Sequence, residues 1–229
     1  MSRNSPLTFA RKVIDFHLNL SSLPELPAGI EWINNFDQSD TRICHTSFYQ
    51  KYFDDHRERM FLFGINPGRF GAGLTGVGFT DPVYLDERCD IPNPFEKKHE
   101  LSSHFIYSVI AAYGGIEKFY QHHFITSILP LGLLKNGKNY NYYDDAETLS
   151  ASLQFVIESI ECQLHFGAIR SQALCIGRGK NYEFFSRLND EYRWFEKIIP
   201  LPHPRWVMQY RRKEKEKHVD KYLQHLFQG

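Results

Sequence analysis

Residues 60–68 read Met60-Phe61-Leu62-Phe63-Gly64-Ile65-Asn66-Pro67-Gly68, four apolar side chains in a row followed by a turn. A run this short, apolar at every position and stopped by glycine, is the pattern of a strand buried on both faces. Three more runs share the design: 124–129 closed by Pro130, 173–176 closed by Gly177, and 195–201 closed by Pro202. Helical stretches lie between them, over residues 101–113, 116–122, 145–165 and 180–189, and a last helix is predicted over 212–227. Upstream, a helix is expected over 41–55. Apolar residues at Phe9, Val13, Ile14, Phe16 and Leu18 predict another, capped by Ser5 with Pro6 at its first position and ended by a Pro-rich connection over 23–29. Strands that alternate with helices predict an α/β fold, a mainly parallel sheet covered on both faces with right-handed crossovers. Ligands of such sheets bind beyond the carboxyl ends of the strands. Function is therefore expected in four turns, at residues 64–68, 128–132, 176–180 and 200–206.

The 229 residues fit one domain, residues 1–229, and 42% hydrophobic with 15% aromatic content is enough to fill its core. No apolar run approaches the ~20 residues that span a bilayer, and residues 1–10 lack an apolar stretch followed by a small-residue cleavage site. The expectation is a cytoplasmic monomer, nucleoid-associated if bacterial, with no membrane partner. Cys44, Cys89, Cys162 and Cys175 form no Cys-x-x-Cys pair, which speaks against a structural zinc or iron–sulfur site. His99 with His104, and the adjacent His122 and His123, find no acid at a spacing that completes a ligand set, so no metal is expected. The net charge of +0 does not advertise a nucleic-acid binder, but residues 205–221 carry seven Lys or Arg against three acids. That segment is a candidate phosphate-facing edge. Its part 213–217 reads equally as a solvated helix face with Glu–Lys pairing.

Gly71-x-Gly73-x-x-Gly76 formally matches a dinucleotide fingerprint, but it starts well past the strand and runs into Val77 to Pro82, which is not a helix. No P-loop and no Gly-x-Ser-x-Gly elbow occurs. What remains is a Gly-rich turn holding Asn66 and a distant Pro202-His203-Pro204, with no acid inside either. An amide can orient a water without taking its proton strongly, and a neutral imidazole can donate to an oxygen that becomes negative in the transition state. Such a pair suits a reaction whose leaving group departs early. Asn-Pro-Gly is also ordinary turn chemistry, and a histidine among prolines is also an ordinary loop residue.

The run Gly64 to Gly71, continued by Thr75-Gly76-Val77-Gly78-Phe79, closely resembles the first motif of the SMUG family, the single-strand-selective monofunctional enzymes of the uracil-DNA glycosylase superfamily. His203-Pro204 resembles the second superfamily motif, and residues 119–131 and 176–178 resemble the strands between. The start at 64–73 and the ending at 203–210 are similar to the second, bacterial branch of that family. The resemblance implies a three-layer αβα sandwich on a four-stranded, mainly parallel sheet, and hydrolysis of the N-glycosidic bond of uracil flipped out of DNA without a cofactor. It implies that Asn66 positions the attacking water and that His203 donates to uracil O2. Phe79 would stack on the base in a pocket lined by Gly64, Ile65, Gly68 and Ser127, with Pro67 against the DNA.

Two departures stand out. Ser127 occupies the place, three residues before Pro130, where the family carries a base-reading Asn. One hydroxyl cannot make the paired amide contact to uracil N3 and O4, so hypoxanthine and xanthine become further candidate substrates. Thr126 would point to the opposite face of the strand and so is a poor substitute. After His203 the chain reads Pro204-Arg205-Trp206-Val207-Met208 where the family has His-Pro-Ser-Pro-Arg. This predicts an apolar wedge of Trp206, Val207 and Met208 for the hole left by a flipped base, with Arg205 and Arg211 on phosphates, or else Trp206 as a packing residue under the loop. No lysine lies in either motif, which argues against Schiff-base chemistry. The competing reading is a catalytically silent nucleic-acid-binding module of the same fold. A small-molecule glycosidase is disfavoured by the absence of paired carboxylates.

Overall fold

The computed structural model describes residues 6–20 and 22–228. In chain order its elements are α1 (Phe9–Leu18), β1 (Ile30–Ile33), α2 (Ser39–Phe53), β2 (Arg59–Gly64), α3 (Ala72–Thr75), α4 (Pro82–Glu87), α5 (Leu101–Tyr113), α6 (Ile116–His122), β3 (His123–Ser127), β4 (Gly132–Lys135), β5 (Lys138–Tyr140), α7 (Ala146–Leu164), β6 (Ala168–Ile176), α8 (Lys180–Tyr192), β7 (Ile198–Leu201), α9 (Pro204–Tyr210) and α10 (Lys215–Leu226). The four predicted strands form one parallel sheet in the order β3-β2-β6-β7. Every residue of β2 is buried, as its unbroken apolar run requires. Phe61 and Phe124 pack against Phe9 of α1, and Phe53 of α2 also meets Phe124, while Phe63 meets Phe185 of α8. His123, one residue before Phe124 and so on the opposite face, hydrogen-bonds to the Leu226 carbonyl and ties α10 to the sheet at 3.2 Å. Burial of each such aromatic contributes roughly 1.5–3 kcal/mol.

Boundaries differ from the sequence reading in physically simple ways. Thr8, not Ser5, caps α1 by accepting from the Arg11 N–H; Ser5 lies outside the described residues. The last strand starts at Ile198 because Phe195 is held in a turn by the Asn189 side chain. β6 reaches back to Ala168, beyond the expected 173–176. The charged stretch leading into β2 ends in a core residue: Arg59, the first of the strand, is 0% exposed, donates to both carboxylate oxygens of Asp55 and to the Tyr120 carbonyl, and stacks on Phe9 and Phe53. Six elements were not expected from the sequence: α3, α4, α9, β1 and the two strands of the β4–β5 hairpin, the last three forming a small antiparallel sheet of order β1-β4-β5. That hairpin closes on Asn136-Gly137, both at positive φ (52° and 69°), the turn chemistry that matches strand twist. No described helix is long and apolar enough to cross a membrane.

Candidate active site

The carboxyl ends of the parallel strands are aligned in register. Gly64 of β2 lies beside Ser127 of β3, and the chain continues the pairing with Ile128 N–H to the Gly64 carbonyl (3.0 Å) and Leu129 N–H to the Ile65 carbonyl (3.1 Å). Above these ends a cleft of about 740 Å³ brings together Ile65, Asn66, Pro67, Gly68, Phe79, Ser127, His203, Arg205 and Trp206. Residues 60 to 140 positions apart in sequence thus meet because parallel strands present all their carboxyl ends to one side.

Asn66 is held by one half of its amide. Its Nδ2 donates to the Tyr140 carbonyl at 3.0 Å, whereas its Oδ1 is buried and unpartnered among the described residues. A buried acceptor left unpaired costs about 1–3 kcal/mol, so this oxygen is a place for a donor from outside the protein, such as a water. The hairpin grips the same turn a second time, where the Arg69 N–H donates to Asn139 Oδ1 at 3.0 Å.

His203 is the N-cap of α9: its Nδ1 accepts from the Arg205 N–H at 3.2 Å. An Nδ1 that accepts must carry no proton, so the neutral ring bears its hydrogen on Nε2 as a free donor. Burial, aided by the Arg205 charge, lowers its pKa to about 4, so the ring is neutral at physiological pH. Its loop is pinned from behind by the Tyr222 hydroxyl of α10, which donates to the Pro202 carbonyl at 2.7 Å.

Phe79 adopts φ 51°, a left-handed conformation uncommon for a bulky side chain and held here by the loop around it. Its ring lies 5.9 Å from that of His203 and covers Gly64 so closely that a Cβ there would meet it at 3.1 Å. Glycine at 64 is therefore what lets an aromatic floor sit over the strand end. The Gly-x-Gly-x-x-Gly pattern finds a packing explanation as well: a Cβ on Gly73 would stand 2.7 Å from the Gly68 carbonyl, and one on Gly71 would overlap the Glu100 carboxylate. Ser127 lines the cleft, while Thr126 is buried and donates to Gln163 of α7 on the other side.

The expected wedge needs correction. Trp206 is 41% exposed and lines the cleft, but Val207 (0%) and Met208 (4%) are buried where α9 packs on α5, so neither can enter DNA. The segment is helical, and helical spacing instead pairs Trp206 with Tyr210, 66% exposed and on the same cleft wall. Pro204 at the first helical position was the available signal for α9. Arg205 and Arg211 are exposed, Arg211 lying 5.3 Å over the Trp206 ring. Arg178 and Lys180 join Arg205 on the rim, whereas Lys215 is turned to Ser108. Glu100, Asn139, Asn141 and Tyr143 also line the cleft and were not foreseen; burial raises the Glu100 pKa, and Asp81 adds to this. Among the described residues no three His, Cys, Asp or Glu side chains gather where a metal ion could be held.

Residues 50–227 match the Uracil DNA glycosylase superfamily. Among solved structures the chain is similar to wild-type SMUG2 from Pedobacter heparinus, with 43% identity over 96% of this chain and 97% of that one and a TM-score of 0.93. No curated protein matches the sequence. With most of its length matched by the family and its fold by a SMUG2 crystal structure, the chain belongs to the uracil DNA glycosylase superfamily and is of the SMUG type.

Proposed function

We propose that the chain is a monofunctional DNA glycosylase of base excision repair, which hydrolyses the N-glycosidic bond of uracil flipped out of DNA and accepts hypoxanthine or xanthine as further substrates. The observation that carries this reading is the pairing, in one cleft, of a buried free acceptor on Asn66 with a neutral donor on His203. The flipped base lies on Phe79, with stacking of about 1–3 kcal/mol offsetting the few kcal/mol that flipping costs. As the C1′–N bond lengthens, its electron pair moves onto the base and His203 Nε2–H donates to the oxygen where the charge gathers. The water on Asn66 Oδ1 attacks C1′ after the bond is largely broken and gives its proton to the departing base anion, which leaves as the neutral base. Trp206 fills the space the base leaves, and Arg205, Arg211, Arg178 and Lys180 meet phosphates along the rim.

The test is direct. Single- and double-stranded oligonucleotides carrying one labelled uracil, hypoxanthine, xanthine or thymine are incubated with the protein and then treated with alkali. Strand cleavage at the uracil is the expected result. Salt-sensitive binding that never yields an abasic site would instead favour a silent binding module, the reading for which Ser127 speaks.

A further inference from the structure

Among the described residues the Asn66 side chain hydrogen-bonds to one protein group, the main-chain carbonyl of Tyr140, and that carbonyl belongs to a three-residue edge strand. Edge strands of this length are marginal by themselves, so something must hold Tyr140 in place. Its side chain supplies the anchor. The phenol donates to Asp145 Oδ2 at 2.5 Å, and Lys135, paired with Tyr140's strand across the hairpin, lies 3.4 Å from the same phenol and 3.8 Å from the same carboxylate. Asp145 is in turn fixed as the N-cap of the 19-residue helix α7, accepting from the Thr148 N–H at 2.8 Å and the Thr148 hydroxyl at 3.0 Å. These bonds hold its carboxyl down to a pKa of about 2. An unbroken chain of contacts thus runs from a long helix through one phenol to the amide that faces the cleft.

We propose that Tyr140 and Asp145 are positioning residues for Asn66, with the Asp145–Tyr140 bond setting where the Asn66 Oδ1 points. The inference rests on Asn66 acting in the hydrolysis described above. Loss of the phenol leaves the carbonyl acceptor in the chain but frees the edge strand to shift. A displacement of a fraction of an ångström at Asn66 lowers the rate of the chemical step without touching the groups that bind DNA.

The experiment is a mutant cycle read by single-turnover excision of uracil from a single-stranded oligonucleotide, using wild type, Tyr140→Phe, Asn66→Ala and the double variant. Tyr140→Phe is expected to slow the maximal rate about tenfold while the enzyme concentration giving half that rate stays unchanged. The same substitution in the Asn66→Ala background is expected to cost less than about twofold, because the group it positions is gone. Asp145→Asn keeps a competent helix cap and weakens the phenol's acceptor, so a smaller loss of rate with an unchanged thermal midpoint is expected. A Tyr140→Phe enzyme as fast as wild type overturns the inference. So does an equal loss in both backgrounds, which would place the effect of Tyr140 elsewhere. An Asn66→Ala enzyme at full rate removes the hydrolysis reading itself, a result distinguishable from either of these.

Discussion

Ser127 sits in register with Gly64 at the open end of the sheet. A hydroxyl there offers one donor and accepts, whereas an amide offers a donor and an acceptor in a fixed plane that matches uracil N3 and O4. Ser127→Asn is expected to shift the ratio of uracil to hypoxanthine excision toward uracil by about tenfold or more, as sites built to pair both edges of a polar group discriminate strongly. The ratio of single-turnover rates on the two bases measures it, and an unchanged ratio would mean that Ser127 does not read the base. Asn66, His203 and Ser127 were legible in the sequence because each lies in or beside a strand-ending turn, whereas Phe79, between α3 and α4, was reached only through the family resemblance. Glu100, Asn139 and Asn141 were not legible, since nothing in the spacing of a residue in a loop or a three-residue strand shows which cleft it will line. The free Oδ1 of Asn66 was beyond sequence reading altogether, because its partner Tyr140 is 74 residues away.

At the level of elements, the four central strands could be read because strands buried on both faces are apolar throughout. The small sheet could not be read as a whole. Its β1–β4 pairing joins residues about a hundred positions apart, and three- or four-residue strands carry little pattern. The hairpin within it was legible in principle, through Asn136-Gly137. Helix α9 was missed although Pro204 marks its first position, and it changes which side chains can meet DNA. Trp206→Ala is expected to weaken binding to uracil-containing DNA and slow excision while leaving the thermal midpoint nearly in place, since the ring is exposed. Val207→Ala should do the reverse, costing about 0.5–1.5 kcal/mol or more of stability from the core with little direct effect on binding. Fluorescence-anisotropy titrations alongside thermal melts separate the two; a Trp206→Ala protein that melts early but binds normally would return Trp206 to a packing role.

Across the whole molecule the same burial that neutralises His203 acts on the core. His17 and His123 are buried, and burial holds each pKa near 4 despite hydrogen bonds to backbone carbonyls that favour the charged ring. Both histidines protonate in the unfolded chain below about pH 6.5 but stay neutral in the folded one until about pH 4, so the unfolded state binds more protons across that window. Stability is therefore expected to be full above pH 6.5 and to fall as the pH drops toward 4, by on the order of 2–3 kcal/mol for each histidine. Thermal midpoints recorded between pH 7.5 and 4.5 check this, and a flat profile would contradict it. Fold, cleft and chemistry converge on one turn, residues 64–68, whose glycine makes room for an aromatic floor and whose asparagine offers one free oxygen. The most direct measurement is the single-turnover rate of uracil excision by Asn66→Ala beside wild type. A loss of ~10²-fold or more is predicted, the usual cost of removing one preorganised polar group; excision at the wild-type rate would contradict the account.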